Sequence, residues 1–364
     1  MRFFSASQDL PQIQCAASRP DYIYLFADDL TGACDAAAAF LPAGYSVRIW
    51  MGPKALRATP ELVQAFNTNS RSLAPKAAGL AVTLAMAGLT VEPHSLFFKK
   101  IDSSARGSLA TELLAAHRVL ATHAVLVAPS FPAAGRTVRD GILEIQDTSG
   151  QHSQLPLASL FPAESGGKVA VIHHPDELAE ALGAGKSILL CDAVTQGDLE
   201  ALARAASGLS NLLYAGSAGL AQALASLFSV HVPPKPLPVS ARILIVTGSS
   251  HAVTKLQLDH LAVSHPAAHV LRIGCEAGDE ACIRAEFQRL DPQALILTGG
   301  DTALRAVRAL EAHSFILHGE FAPGIPWGIV QGGAAEGRIV ITKSGGFGAP
   351  TAFSDILNAL SGLA

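Results

Sequence analysis

The chain has 364 residues, 49% hydrophobic and 15% charged, with 26 Lys and Arg against 30 Asp and Glu for a net charge of −4. That is enough apolar material for two ordinary domains and too little charge for a disordered chain. The mildly acidic balance, without a Lys/Arg cluster, offers no field to a nucleic-acid backbone. No apolar run reaches the roughly 18 residues of a membrane span. Neither nucleic acid nor membrane is therefore expected as a partner.

Residues 1–20 lack the apolar core of a signal peptide and read as an N-terminal extension. Five scattered cysteines, Cys15, Cys34, Cys191, Cys275 and Cys282, form no C-x-x-C pair, which predicts free thiols in a reducing, cytoplasmic setting. Residues 22–27 then form a β-branched and aromatic run that stops at Asp28 and Asp29, followed by Thr31-Gly32 and an alanine-rich helix over 33–40. Two adjacent carboxylates at the carboxyl end of a first strand lie where open α/β sheets bind ligands. The bland alternative is that one of them N-caps the helix.

Further strands are predicted at 47–50, 95–100, 124–128, 169–172, 187–191 and 211–214. Helices are predicted near 75–89, at 110–120 and at 176–182. This alternation predicts a layered α/β domain with a mostly parallel sheet. Residues 233–238 hold four prolines, which suits a stiff linker. Beyond them, strands at 242–247, 294–298 and 338–343 each end in a glycine-rich turn, and two are followed by predicted helices at 253–264 and 303–311. Such turns expose backbone N–H groups, and several along one sheet edge make a phosphate cradle. The expected layout is an extension (1–20), an α/β domain (21–231), a linker (232–240) and a second α/β domain (241–364), with the active site in the cleft between the two.

Three polar segments add charge to the first part: residues 67–71 with Arg71, residues 99–107 with Lys100, Asp102, Ser103 and Arg106, and residues 131–136. Arg71 and Arg106 carry the planar fork that grips carboxylates. Asp28, Asp29 and Asp102 can accept from hydroxyls. Together they suit a small polyhydroxy acid. Lys99, Arg136 and Arg139 read equally well as surface charges. Residues 183–187 mimic a Walker A loop, but a helix precedes and a strand follows, the reverse of the required order. No G-x-G-x-x-G opens a helix, and His173-His174 lacks a third ligand at metal spacing.

Taken together, these segments resemble the four-carbon acid sugar kinase family. The matching pieces are residues 27–33 with Asp35, Ser70-Arg71, Lys100-Ile101-Asp102-Ser103 with Arg106-Gly107, Phe131-Pro132 with Gly135-Arg136 and Gly141, and residues 216–221. In the second part Gly248-Ser249-Ser250 with Thr254 and Gln257, residues 299–302, residues 323–326 and residues 343–348 match. The resemblance runs over about residues 22–350. It implies a sugar-acid domain followed by an ATP-binding domain. ATP would be held by Ser249, by Gly299, Gly300, Asp301 and Thr302, and by Ser344, Gly345, Gly346, Phe347 and Gly348. The chain departs from the family pattern at His251, where Ser is frequent, and at Ser104-Ala105 and Ser108.

The expected chemistry is in-line transfer of the ATP γ-phosphoryl group to a sugar-acid hydroxyl, with Mg²⁺ bridging phosphate oxygens. Asp28 or Asp29 is expected as the base, and Arg71, Lys100, Asp102, Ser103 and Arg106 as substrate ligands. A non-catalytic, ligand-binding regulatory protein is the alternative, with His251 as the feature that favours it. A homodimer and a monomer are both left open.

Overall fold

In a computed structural model the described residues are 19–52, 61–146 and 152–363, apart from positions 88, 90, 91, 93, 229, 231, 234 and 275. Nearly all of the expected N-terminal extension, with Cys15 and Cys275, lies outside them.

The first part carries strands β1 (Tyr22–Ala27), β2 (Val47–Trp50), β3 (Val63–Asn67), β4 (Ser95–Lys100) and β5 (Ala124–Ala128). It continues with β6 (Arg136–Arg139), β7 (Ile142–Gln146), β8 (His152–Pro156), β9 (Val169–Ile172), β10 (Ile188–Cys191) and β11 (Leu212–Gly216). Its helices are α1 (Leu30–Ala38), α2 (Pro75–Met86), α3 (Leu109–Leu120), α4 (Glu177–Gly183), α5 (Gln196–Ala206) and α6 (Ala218–Ala225). After the proline-rich stretch come β12 (Ile243–Thr247), α7 (Ala252–Ser264), β13 (His269–Arg272), α8 (Asp279–Leu290), β14 (Ala294–Thr298) and α9 (Gly300–Ala309). The chain closes with β15 (Ser314–Ala322), β16 (Ile325–Gln331), β17 (Ile339–Lys343) and α10 (Ala352–Leu360).

Among the described residues, fourteen strands form one sheet in the order β13-β12-β14-β17-β16-β15-β2-β3-β1-β4-β11-β5-β10-β9. Pairing is parallel except at β17–β16, β16–β15 and β15–β2. The sheets of the two parts are thus joined edge to edge, with Phe315 opposite Ile49 and Leu317 opposite Val47. A hairpin makes this junction because antiparallel strands close with a short turn, whereas parallel neighbours need a long crossover. Strands β6 to β8 form a separate small antiparallel sheet.

Strands buried on both faces read as continuous apolar runs, and β1 shows why. Ile23, Leu25 and Ala27 enter a core that runs on through α1 into Leu244, Leu295, Phe315 and Val340 of the second part. Tyr24 and Phe26 face the opposite way, into a core shared with α2 and α3. A third core lies under α7 and α10. Helix α1 therefore sits at the junction of the two parts, and its first turn opens onto the carboxyl ends of β1 and β4.

Several elements were not expected from the sequence. These are strands β3, β13, β15 and β16 and the small β6–β8 sheet; Gln64 interrupts the apolar residues of β3, and His318 and Glu320 those of β15. Gln64 is tolerated in a buried strand because its Oε1 accepts from Trp50 Nε1 at 3.3 Å.

Candidate active site

The first turn of α1 is organised by Asp29. Its backbone is extended (φ −142°, ψ 161°), and its Oδ1 accepts from the Gly32 N–H at 3.0 Å, which caps one of the helix's unpaired donors. Oδ2 accepts from the Thr31 hydroxyl at 2.7 Å. The N-capping alternative therefore applies to Asp29 and leaves Asp28 to other work.

That work is with Arg71. The loop after β3 is tied back to β1 by the Ser70 and Arg71 N–H groups donating to the Asp28 carbonyl. Arg71 Nε and Nη2 then donate to the two Asp28 oxygens, each at 2.8 Å, and Nη2 also reaches Asp29 Oδ1 at 2.8 Å. Beyond β4, Arg106 grips Asp102 in the same forked way, at 3.0 and 2.6 Å, and Arg71 Nη1 lies 3.7 Å from Asp102. Both predicted carboxylate clamps thus hold protein carboxylates. The outward half of Arg106 stays open to solvent, its side chain 67% exposed.

Burial works to raise the Asp28 carboxyl, but Arg71, by charge and hydrogen bond, with Lys99 and Lys100 behind it, holds it below the ordinary carboxylate range. Asp102 is likewise held low against burial, first by the Arg106 hydrogen bond and then by Arg71. The three carboxylates in turn keep Arg71 more firmly protonated, although burial opposes this. Lys99 is not a surface charge: it is buried and pairs with Glu112 at 2.7 Å. Lys100 is also buried and donates to the Ile101 carbonyl at 2.9 Å.

Facing this cluster are the glycine-rich turns of the second part. Gly299 (φ +97°) precedes α9, and Gly300 opens it. A Cβ on Gly300 would meet Asp29 Oδ2 at 2.5 Å, so the opening carboxylate lies directly against the start of that helix. His251 N-caps α7, with Nδ1 accepting from the Val253 N–H at 3.2 Å. The residue that departs from the family pattern thus still does a capping residue's work. Ser249 Oγ accepts from the His251 N–H at 3.3 Å. Phe347 stacks on Phe131 of the first part, ring centres 6.0 Å apart.

Between the two sets lies a cleft of about 710 Å³. Asp28, Asp29, Arg71, Lys100, Asp102, Ser103 and Arg106 line one side. Ser249, Gly299, Gly300, Asp301, Thr302, Ser344, Gly345, Gly346 and Phe347 line the other. Of the predicted site residues only Gly348 stays out of the lining.

A family model for a sugar-binding N-terminal domain matches residues 23–224, more than half of the chain, and one for a nucleotide-binding C-terminal domain matches residues 280–353. A D-threonate kinase of Bordetella bronchiseptica is 29% identical over 90% of this chain and 94% of its own length. A D-erythronate kinase of Heliobacterium modesticaldum is 30% identical over 65% of this chain and 59% of its own. The chain belongs to the four-carbon acid sugar kinase family. It is accordingly a phosphotransferase with an alcohol group as acceptor. In fold, the solved Haemophilus influenzae protein HI1011 is similar, with a TM-score of 0.68 and 20% identity over 93% of this chain and 100% of its own. No helix among the described residues is long and apolar enough to cross a membrane.

One cleft residue, Asp35, entered the sequence reading only as part of the family resemblance and was given no role there. Asp35 lies on α1 four residues beyond Thr31, on the face that carries Thr31 and Gly32 into the cleft. It accepts no hydrogen bond from the described residues. Burial pushes its carboxyl up to about 6, with Lys100 opposing and Asp29 adding to the rise. A lone Asp among alanines was the available signal. Away from the cleft, His173 Nδ1 lies 2.9 Å from Asp192 and 3.7 Å from Asp140, partners that local spacing did not reveal.

Proposed function

We propose that this protein transfers the γ-phosphoryl group of ATP to a hydroxyl of a four-carbon sugar acid such as threonate, erythronate or 3-oxo-tetronate. The observation that carries the reading is the contact of Asp29 with Gly300, which sets the acid and guanidinium cluster against the glycine turns of the other side. Residues 21–231 and 241–364 would act as the sugar-acid and nucleotide domains.

In this reading the sugar acid lies over the carboxyl ends of β1 and β4. Lys100 and the open edge of Arg106 face its carboxylate, and Asp102 and Ser103 face its hydroxyls. Asp28, kept ionised by Arg71, is a poor proton acceptor and serves to orient. Asp29, at the border with α9, takes the proton of the attacking hydroxyl. The hydroxyl oxygen forms a bond to the γ-phosphorus, the bond from that phosphorus to the bridging oxygen breaks, and its electron pair leaves with ADP. The turns after β12, β14 and β17 supply N–H donors to phosphate oxygens.

The donor chemistry suits Mg²⁺, an oxygen-seeking ion held by one or two carboxylates plus substrate phosphates. Asp35, which lines the cleft without a hydrogen-bond partner among the described residues, would be its protein ligand, and it would neutralise charge on the β and γ oxygens. Closure of the cleft excludes water and suppresses ATP hydrolysis.

Replacing Asp29 by Asn, and separately Asp28 by Asn, tests this assignment. Asp29→Asn is expected to lower turnover by about 10² or more, the usual scale for a lost general base, while ADP affinity measured by calorimetry persists. Asp28→Asn is expected to lower turnover and raise KM for the sugar acid. Near-wild-type turnover in both variants would make the pair structural and overturn the mechanism.

A further inference from the structure

The turn at residues 344–349 has an unusual polarity. Its carbonyl groups are claimed from behind, by side chains that never reach the cleft. Lys343 Nζ donates to the Ser344 and Phe347 carbonyls, each at 3.1 Å. Thr254 Oγ1 donates to the Gly345 carbonyl at 2.7 Å. Gln257 Nε2 lies 3.0, 3.1 and 2.9 Å from the carbonyls of Phe347, Gly348 and Ala349. Three carbonyl oxygens around one terminal atom identify it as the nitrogen.

Lys343, Thr254 and Gln257 are each 0% exposed. The N–H groups of the turn are treated differently. That of Phe347 donates back to the Ser344 carbonyl at 3.1 Å, whereas those of Gly345, Gly346 and Gly348 find no acceptor among the described residues. Gly345 and Gly346 line the cleft.

A peptide unit whose carbonyl is held inward presents its N–H to the opposite side, and successive N–H groups so aligned make an anion-binding concavity. We propose that Lys343, Gln257 and Thr254 are positioning residues that hold the turn at 344–349 with its carbonyls inward, so that the N–H groups of Gly345 and Gly346, which line the cleft, are preset for the phosphates of the nucleotide. The proposal rests on the reading of this side of the cleft as the nucleotide site.

Lys343 adds a second effect. It has no carboxylate partner among the described residues, and its ammonium lies 5.4 Å from the centre of the Phe353 ring. A buried cation without a counter-ion is a standing cost to the fold, consistent with its pKa being pushed down by burial to about 8. The same charge placed behind the turn favours an anion in front of it. Lys343 therefore destabilises the empty protein and favours the nucleotide-bound one. A residue of purely structural value would not show these opposite signs.

The test measures ADP and D-threonate affinities by calorimetry, together with Tm, for the wild type, Lys343→Met, Gln257→Leu and Thr254→Val. Lys343→Met is expected to weaken ADP binding at least tenfold while Tm holds or rises, and Lys343→Arg to restore part of the loss. Gln257→Leu is expected to weaken ADP binding about tenfold and Thr254→Val severalfold. Sugar-acid affinity should stay within twofold in all of them. Stable variants with unchanged ADP affinity, or with equal losses for ADP and the sugar acid, would overturn the proposal. Absence of ADP binding in the wild type would instead overturn the nucleotide reading, and this proposal with it.

Discussion

Replacing Gly300 by alanine probes a place where the two sides of the cleft meet at the proposed base, Asp29. The added Cβ would stand 2.5 Å from Asp29 Oδ2 and 3.4 Å from its Cγ. Real Cβ contacts essentially never fall under 3.0 Å, so about 0.5 Å or more must be found. Asp29 cannot supply it freely, because its oxygens are held by the Gly32 N–H, the Thr31 hydroxyl and Arg71. Either the carboxylate leaves its place or α9 backs away from α1. The local fold does not suffer correspondingly, since alanine in a helix is favoured over glycine by up to about 1 kcal/mol. Displacements approaching 1 Å in a reacting constellation cost on the order of 10²-fold in rate. Gly300→Ala is therefore expected to lower kcat about 10- to 100-fold in a coupled ADP-release assay, with Tm unchanged or slightly raised. A variant with wild-type kcat would show that Asp29 need not sit against α9, and the reasoning would fail.

Two further expectations concern buried charge. The Asp35 carboxyl is raised from 3.8 to about 6, so the folded state holds its proton more tightly than the unfolded one. Its contribution is fully present below about pH 4 and is lost as pH rises through about 6, a change on the order of 3 kcal/mol at 1.36 kcal/mol per unit. Asp35→Asn should raise Tm at pH 7.5 and flatten that decline; a Tm–pH curve parallel to wild type would contradict this. Lys99 and Glu112 form a fully buried pair at 2.7 Å. Lys99→Met alone should cost about 3–5 kcal/mol in urea unfolding, whereas Lys99→Met with Glu112→Leu should recover most of it. A double variant no more stable than the single would refute the pairing argument.

What could be read from the sequence was local. The run into Asp28 and Asp29, the Thr-Gly turn and the helix after it are contiguous, and the strand and helix follow from neighbouring residues, whereas which of the two carboxylates caps the helix came only with the structure. The same holds for the turns after β12, β14 and β17. What could not be read depends on contacts between distant residues. Arg71 looked like a ligand for an outside carboxylate, because nothing in its neighbourhood says that Asp28, 43 positions earlier, will occupy its fork. Lys99 could be read equally well as a surface charge, because nothing near it in sequence says that Glu112 of α3 will pair with it. The β15–β2 pairing that joins the two parts involves a strand whose His318, Gly319 and Glu320 break any apolar alternation. His251 looked like a defect in a serine-rich turn, yet an imidazole nitrogen accepts an N–H as a hydroxyl does.

The central claim is tested most directly by ADP release from ATP and Mg²⁺ in the presence of D-threonate, D-erythronate and 3-oxo-tetronate, each alone, beside three- and six-carbon sugar acids. The account predicts release with at least one four-carbon acid, well above release without acceptor and dependent on Mg²⁺, and little with the shorter and longer acids. Release no greater than the acceptor-free control with every four-carbon acid, from protein that binds both ADP and the acid, would contradict it.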